Sequence, residues 1–589
     1  MGEKTGQKSA LIIGAGAGGI ATAARLAKAG FKVTVVEKND FSGGRCSLIY
    51  RDGYRFDQGP SLLLLPHLFR EAYEDLDTSL EAEGIQLVKC DPNYNMWFGD
   101  GETFQLSTDT ARMKTEIEKW EGKEGFERYL GFLQESHRCY EHSVTHVLRK
   151  NFTSLLSMVR PGFLKHLIDL HPFESIYSRA SKYFWTERLR RVFTFGSMYM
   201  GMSPFDAPGT YSLLQYTELT EGIWYPIGGF HKVIDGILKI GQSLGVDFRF
   251  STAVDIILLS PDGFTARGVK LTTGEELKAD VVICNADLVY AYGNLLPKSS
   301  YATSLSKRAG SCSSISFYWG LDRTVPVLSA HNIFLADEYR ESFDSIFKHH
   351  LIPEQPSFYV NVPSRVDRSA APLGKDSVVV LVPVGHLLDS DSETHKGTVN
   401  STTRDNVSGA QDWSAMVDLA RSKVLTTIAA RTGVDLSGMI VTESMNTPFT
   451  WKERFNLDKG AILGLSHSFF NVLSFRPKTK HTSIDSLYFV GASTHPGTGV
   501  PIVLAGSKIV AEQILKDYRM EVPWSKGGFK TKKTGKKIDR VIAGPLWRLV
   551  VPWVVMLMIM VFVNRCIRMM GQGDDAAVIS IDGQGKNHS

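Results

Sequence analysis

Residues 10–19 read ALIIGAGAGG, and residues 33–45 answer them with VTVVEKNDFSGGR. The first four residues form a short apolar run of the kind that makes a fully buried strand. That run empties into a glycine turn matching G-x-G-x-x-G at Gly14, Gly16 and Gly19, with Gly18 beside them. Residues 20–29 have helix-forming composition, and Gly30 stands where a C-cap belongs. A second apolar run, 33–36, ends on Glu37, 18 residues beyond Gly19. At this spacing Gly14 allows the tight turn, Gly16 lets a diphosphate approach the backbone, and Gly19 lets the helix sit close on the sheet. The helix N-terminus offers unpaired N–H groups and a positive dipole end to phosphates. Glu37 would accept ribose hydroxyls. Glycines alone fit any β–α turn; with strand, helix and acid in place they predict a dinucleotide site.

The residues after Glu37 narrow the choice of dinucleotide. An NAD site would need little more, yet Lys38 leads into Gly43-Gly44-Arg45, and Phe56-Asp57-Gln58-Gly59-Pro60 comes soon after. Paired glycines and an arginine suit a backbone passing close to a diphosphate or a ring system, where the bland alternative is a flexible loop with a surface arginine. These residues resemble the FAD-binding start shared by amine oxidases, carotenoid desaturases and prenyl-GTPase dissociation inhibitors. FAD is expected, with NAD as the alternative.

Near the other end, residues 487–506 read LYFVGASTHPGTGVPIVLAG. A buried strand ends at Gly491, and a turn at Pro496-Gly497-Thr498-Gly499 opens a small-residue helix from Val500 to about Leu515. The logic of the first motif recurs: a strand, a bare turn, and a helix N-terminus aimed at a negatively polarised group. In a flavoprotein that group would be the pyrimidine edge of the reduced ring. The stretch G-A-S-T-H-P-G-T-G-V resembles the signature of bacterial- and fungal-type phytoene desaturases, FAD-linked members of the carotenoid and retinoid oxidoreductase family. Together with the N-terminal motifs the likeness spans roughly residues 9–515. Other FAD folds often place Asp where this chain has Ala492; a small residue fits the desaturase pattern. The cofactor contacts nominated are therefore Gly14, Gly16, Gly18, Gly19, Glu37, Lys38, Gly43, Gly44, Arg45, Gly59, Pro60, Gly491, Ala492, Gly497, Thr498, Gly499 and Val500. No general base is identified; His495 is the one titratable residue of the flavin-side turn, with a structural role as its other reading.

The resemblance implies an α/β fold in which an FAD-binding Rossmann-like domain of the amine-oxidase/glutathione-reductase type is interleaved with an α+β substrate domain. Residues 1–90, 225–300 and 480–520 would build the first, and 91–224 with 301–479 the second. It implies repeated removal of two hydrogens from 15-cis-phytoene, a C40 carotenoid precursor, through phytofluene, ζ-carotene and neurosporene to lycopene, with 3,4-didehydrolycopene an open further step. The electron acceptor, oxygen or quinone, and the oligomeric state are left open. The alternatives are a carotene isomerase or saturase of the same family, a non-catalytic prenyl-lipid carrier that binds no FAD, or an NAD-dependent dehydrogenase. The last leaves Gly43-Gly44-Arg45 and the Gly497-Thr498-Gly499 turn without a purpose.

Composition bounds the rest. The 589 residues exceed one ordinary core. A net charge of +4 with no basic stripe through the body gives no reason to expect nucleic acid. The six scattered cysteines form no C-x-x-C pair, which argues against a disulfide framework or a structural zinc site; no metal is expected. A reducing compartment is expected, and no secretory signal precedes the glycine turn. Residues 87–106 read as strands around a Gly99-Asp100-Gly101 turn, and 246–286 as consecutive strands. The polar stretch 389–412, with sequons at Asn400 and Asn406, reads as an exposed loop and looks like an insertion of the fungal kind. Residues 152–183 mix bulky apolar residues with Arg160 and Lys165, which suits a helix pair on a membrane surface or an ordinary core helix. The aromatics and methionines of 184–225 suit either a core or a tunnel for an apolar substrate.

Residues 526–540 carry seven lysines and arginines against one acid, in a linker read as 521–540. Residues 541–563 then run 23 positions with Arg548 as the only charge, enough for one membrane span. The basic cluster would hold the catalytic body on the cytoplasmic face, with endoplasmic reticulum as the expected membrane and 564–589 as a tail across it. An amphipathic or re-entrant anchor is the alternative.

Overall fold

The computed structural model describes residues 7–160, 170–388 and 411–526. The basic run after 526, the apolar run 541–563, the tail, and residues 389–410 with both sequons lie outside the described residues.

Ser9–Ile13 is the third strand of a five-stranded parallel sheet. On one side it pairs with Lys32–Val36, which pairs with Asp247–Arg249; on the other it pairs with Val281–Cys284, which pairs with Leu487–Phe489. Strands buried on both faces read as continuous apolar runs, which is why ALII, VVIC and LYF carry no alternation. The helix Ala17–Lys28 covers one face, built of small residues from Gly18 to Ala24 that are buried against the helices Lys232–Ser243 and Val500–Asp517.

The second sheet has seven strands, in the order Ile440–Asn446, Ser313–Leu321, Asp376–Val384, Phe358–Asn361, His331–Phe334, Tyr94–Trp97 and Thr103–Leu106. Its pairs are antiparallel except for His331–Phe334 with Tyr94–Trp97. Period-2 alternation decides what each face does. Ile315, Phe317, Trp319 and Leu321, with Val378, Val380, Val382 and Val384, pack under the helix Trp413–Thr432. The opposite face offers Ser314, Ser316, Leu381 and Pro383 to the central cavity. Tyr318, on that same face, donates its hydroxyl to the Gln58 carbonyl at 2.7 Å and ties the sheet to the cofactor loop.

Strands occupy 87–89, 94–97 and 103–106, the last two turning at Gly99–Gly101, and the expected succession of strands runs from 247 to 284. Of the stretch 152–183, where a membrane-surface helix pair or a core helix is expected, residues 161–169 lie outside the described residues. Among the described residues that stretch holds a 3₁₀ turn, Leu155–Val159, and a short helix, Ile176–Ala180. Asp412, expected in a loop, instead caps the next helix by accepting from the Ala415 N–H. Among the described residues no helix is long and apolar enough to cross a membrane.

Candidate active site

One cavity of about 680 Å3 is lined both by the glycine motifs and by the second sheet. The first turn sets its floor. Gly14 adopts φ +96°, and its N–H donates to the Val36 carbonyl at 2.8 Å. Gly43, at φ +86°, donates to the Ala15 carbonyl at 2.8 Å, so the two glycine loops are laced together. A Cβ on Gly19 would lie 2.1 Å from the Gly14 carbonyl oxygen, the close helix–strand approach that the motif requires. Cβ atoms on Gly16 and Gly18 would meet the Asn285 side chain at 2.8 and 2.6 Å. Asn285 itself donates to the Gly14 carbonyl at 3.2 Å. The helix Ala17–Lys28 opens at Gly16 with no side-chain cap, the arrangement that leaves first-turn N–H groups to a ligand.

Glu37 lines the cavity. Its Oε2 accepts from the Ala15 N–H at 2.8 Å, and its Oε1 accepts from the N–H and Nδ2 of Asn39, both at 2.9 Å. A carboxylate has about four acceptor sites, so these three bonds fix its orientation and leave capacity on Oε2. Lys38 also lines the cavity, but its ammonium donates to the Glu453 carbonyl at 2.6 Å and to Asn456 Oδ1 at 2.7 Å. Arg45 is half-buried in the wall beside Asp287, without a hydrogen bond or ion pair among the described residues. Burial, opposed in part by the neighbouring Cys46 and Asp287, holds its guanidinium below the usual value. Burial lifts the Asp287 carboxyl to about 6, although it accepts from the Val289 and Tyr290 N–H groups. Gln58 Oε1 accepts from the Ser47 hydroxyl at 2.7 Å while its buried Nε2 has no partner among the described residues. Gly44, Gly59 and Pro60 complete this side.

The C-terminal motif meets the same cavity. Gly491 (φ +131°), Ala492, Thr498, Gly499 (φ +100°) and Val500 line it. Gly497 stands behind them, where a Cβ would come within 2.6 Å of His467 Nε2; that nitrogen accepts from the Thr498 N–H at 3.2 Å. His495 lies outside the cavity wall. Its Nε2 bonds the Lys150 carbonyl at 2.7 Å, and burial lowers it to about 4, so it is neutral at ordinary pH.

Beyond the motifs the wall is apolar. The aromatic- and methionine-rich stretch divides between both of its expected roles. Phe184 and Phe193 stack in the core with centroids 4.1 Å apart, while Phe195, Met198, Tyr199 and Met200 line the cavity with Leu214, Leu381 and Leu463. A polar island interrupts this wall. Tyr199 pairs with Tyr94, whose hydroxyl reaches Glu218 Oε1 at 3.4 Å. Burial lifts the Glu218 carboxyl to about 8 against the pull of the two tyrosines, leaving it mostly protonated at neutral pH. Tyr359 adds a second chain of contacts, at 2.8 Å to the Ser61 hydroxyl and 2.7 Å to His331 Nδ1.

Asn285, Asp287 and His467 escape sequence reasoning, whereas Gln58 stands in the Phe56–Pro60 stretch and Tyr199 in the aromatic-rich one without an individual role. The Asn285-Ala286-Asp287 run that ends a buried strand is the local signal for the first two.

A cradle that any Cβ would fill, an unpaired arginine, an orphaned amide nitrogen and an oriented carboxylate fit a dinucleotide with a diphosphate and a ribose. Two such glycine turns facing one cavity fit the flavin dinucleotide. Comparison with known proteins agrees. The profile of the flavin containing amine oxidoreductases matches residues 17–389. A phytoene desaturase of Fusarium fujikuroi is 66% identical over 532 residues, covering 90% of this chain and 93% of its own. One of Cercospora nicotianae is 61% identical over 587 residues, covering 92% and 94%. Among solved structures, putrescine oxidase bound to putrescine superposes with a TM-score of 0.55 at 13% identity, covering 87% of this chain and 99% of that one, a likeness of fold. The cofactor is FAD, and this chain belongs to the phytoene desaturases, within the flavin-containing amine oxidoreductases.

Proposed function

We propose that the chain desaturates 15-cis-phytoene through phytofluene, ζ-carotene and neurosporene to lycopene. The observation that carries this reading is the continuity of one cavity from the glycine cradle to a wall of Phe195, Met198, Met200, Leu214 and Leu463. A hydrocarbon chain needs such a wall, and no charged anchor for the substrate.

Bound FAD would supply the two-electron acceptor for a hydride from an allylic C–H bond, while the adjacent carbon loses a proton to water and a C=C bond forms. The chain's own residues do the rest. Glu37 orients the ribose with its remaining acceptor capacity, and the first glycine turn with Arg45 receives the diphosphate. The N-terminus of Val500–Asp517, capped by no side chain, faces the same cavity and favours negative charge there. The Tyr318–Gln58 bond keeps the sheet wall and the cofactor loop in register, which fixes the distance between substrate carbon and cofactor.

Pigment analysis tests the reading in cells that accumulate phytoene and express the chain. Conjugated products with lycopene or 3,4-didehydrolycopene as the longest main chromophore are expected. Unchanged phytoene beside intact, flavin-loaded protein overturns it and favours an isomerase or saturase.

We also propose that residues 541–563 span a membrane once and that the basic run before them keeps the catalytic body on the cytoplasmic side, at the endoplasmic reticulum. The supporting features are length, apolarity and flanking charge. The protein should stay in the membrane pellet through alkaline carbonate washing, and deletion of 541–563 should release it. Release of the intact chain by carbonate overturns the span. The two-electron acceptor that reoxidises the flavin is read as oxygen or a membrane quinone.

A further inference from the structure

A second cavity, of about 570 Å3, lies between residues 292–309 and 468–482, apart from the cofactor cavity. Arg308, Arg476, Lys478 and Lys480 line it. Lys480 is paired with Asp517 at 3.0 Å and with Asp485 at 3.8 Å. The other three make no ion pair among the described residues, and their side chains donate there to backbone carbonyls. Arg308 donates to Phe475 at 2.8 Å, and Lys478 donates to Phe152 at 3.0 Å and to Ser474 at 2.5 Å. Arg476, fully buried, spends its guanidinium on the carbonyls of Leu465, Ser466, Asn471, Ala492 and Thr494. Burial and then the Arg308 charge hold the Lys478 ammonium below its ordinary value; burial brings Arg476 down to about 10, opposed by Tyr211 and helped by Arg308. Arg308 and Lys478, partly buried, repel one another across the cavity, with carbonyl dipoles but no carboxylate partner among the described residues, and form one half of an anion site.

The rim of this cavity is apolar. Phe470 is 50% exposed on the lining and packs against Phe475 and Phe469. Phe469 packs on Phe173, which is 55% exposed. The Ser474 hydroxyl donates to the Ser154 carbonyl at 2.8 Å, which ties the rim to the Leu155–Val159 turn, where Leu155 and Leu156 are 62% and 77% exposed. A water-soluble anion would use the cations and have no use for four large exposed apolar side chains. A phospholipid uses both, its phosphate on the cations and its acyl boundary around the knuckles.

We propose that this cavity binds the phosphate of an anionic phospholipid headgroup, with Phe470, Phe173, Leu155 and Leu156 entering the acyl boundary beside it. The proposal rests on the membrane placement proposed above and gives the catalytic body its own contact with the bilayer, separate from the terminal span. Because Arg476 also holds the Ala492 and Thr494 carbonyls, a headgroup bound there sits one side chain away from the flavin-side turn.

The test is calorimetric titration of the full-length, flavin-loaded chain in neutral detergent. The probes are dihexanoyl phosphatidic acid, dihexanoyl phosphatidylcholine and inorganic phosphate. Two variants are compared with the parent: Arg308→Gln, and Ala309→Glu, which adds a carboxylate at an exposed position of the lining without touching the core. Phosphatidic acid should bind about tenfold more tightly than either other probe, and each variant should weaken it about tenfold. Inorganic phosphate binding as tightly as phosphatidic acid overturns the lipid and leaves a soluble anion. Unchanged phosphatidic acid affinity in both variants overturns the site and assigns the binding to the terminal basic run. Phytoene consumption by the same preparations reports on catalysis separately, so a parent chain that desaturates phytoene but does not bind phosphatidic acid sinks this proposal alone.

Discussion

At the scale of single residues, the cofactor cradle depends on atoms that are missing. Gly19 is the sharpest case, because its obstacle is a backbone oxygen 2.1 Å from where a Cβ would stand, and a backbone oxygen cannot swing aside. Gly19→Ala should therefore yield protein without flavin absorbance, whereas a substitution at Gly30, where nothing lies within 4 Å, should keep some of it despite the strained φ. Glu218 gives a prediction of the other kind. The native state keeps its proton up to about pH 8, while the unfolded chain releases it near 4.5. Its contribution to stability is thus complete below about 4.5 and is lost as pH rises through 8, on the order of 5 kcal/mol in all. Glu218→Gln, which can keep the Tyr94 bond, should flatten the fall in Tm between about pH 5 and about pH 9; a parallel fall in both proteins would show that another group carries it. Gly14, Gly16, Gly19 and Glu37 are legible in the sequence because their roles follow from spacing along one β-α-β unit. Gln58, Asn285 and Tyr199 are not, because what makes each of them matter is a partner hundreds of residues away in sequence or a cavity that exists only after folding.

At the scale of elements, the two helices that open onto the cofactor cavity are bolted together at their flanks. Arg25, in Ala17–Lys28, donates to Asp75 Oδ2 at 3.0 and 2.9 Å and to the Ser507 hydroxyl of Val500–Asp517 at 2.5 Å. Lys508 reaches the other Asp75 oxygen at 2.7 Å. The Arg25–Asp75 pair is nearly inaccessible, 2% and 5% exposed, so removing one partner strands the other. Arg25→Ala should cost about 3–5 kcal/mol, lower Tm and loosen flavin retention together. A normal Tm would mean that water or Lys508 alone can satisfy Asp75. The strands are legible, from buried runs such as VVIC and turns such as Gly99–Gly101. Within 152–183 the described residues Leu155, Leu156 and Phe173 stand on short turns beside the residues 469–475.

At the scale of the molecule, catalysis depends on two sheets holding one cavity between them. Tyr54 donates its hydroxyl to the Leu321 carbonyl at 2.7 Å and Thr442 donates to Asp52 at 2.6 Å, so the hairpin 48–57 is fastened to the second sheet at several points. Tyr318→Phe removes one such fastening, the bond to the Gln58 carbonyl, without changing volume. It should leave flavin content near normal and lower kcat more than it raises KM, since it alters the spacing of cofactor and substrate and leaves the apolar wall intact. Equal loss in both parameters would place Tyr318 in substrate binding instead.

The strand order of the parallel sheet carries one more consequence, for the order in which the protein can be made. The strand at 9–13 has a neighbour at 32–36 soon after it is synthesised, but its other neighbour, 281–284, emerges about 270 positions later, and the strand and helix that close the cradle come only at 487–517. A ribosome that has produced four-fifths of this chain has produced nothing able to hold FAD. Flavin supply therefore acts on a finished or nearly finished polypeptide, and a chain interrupted at any earlier point should be beyond rescue by added flavin.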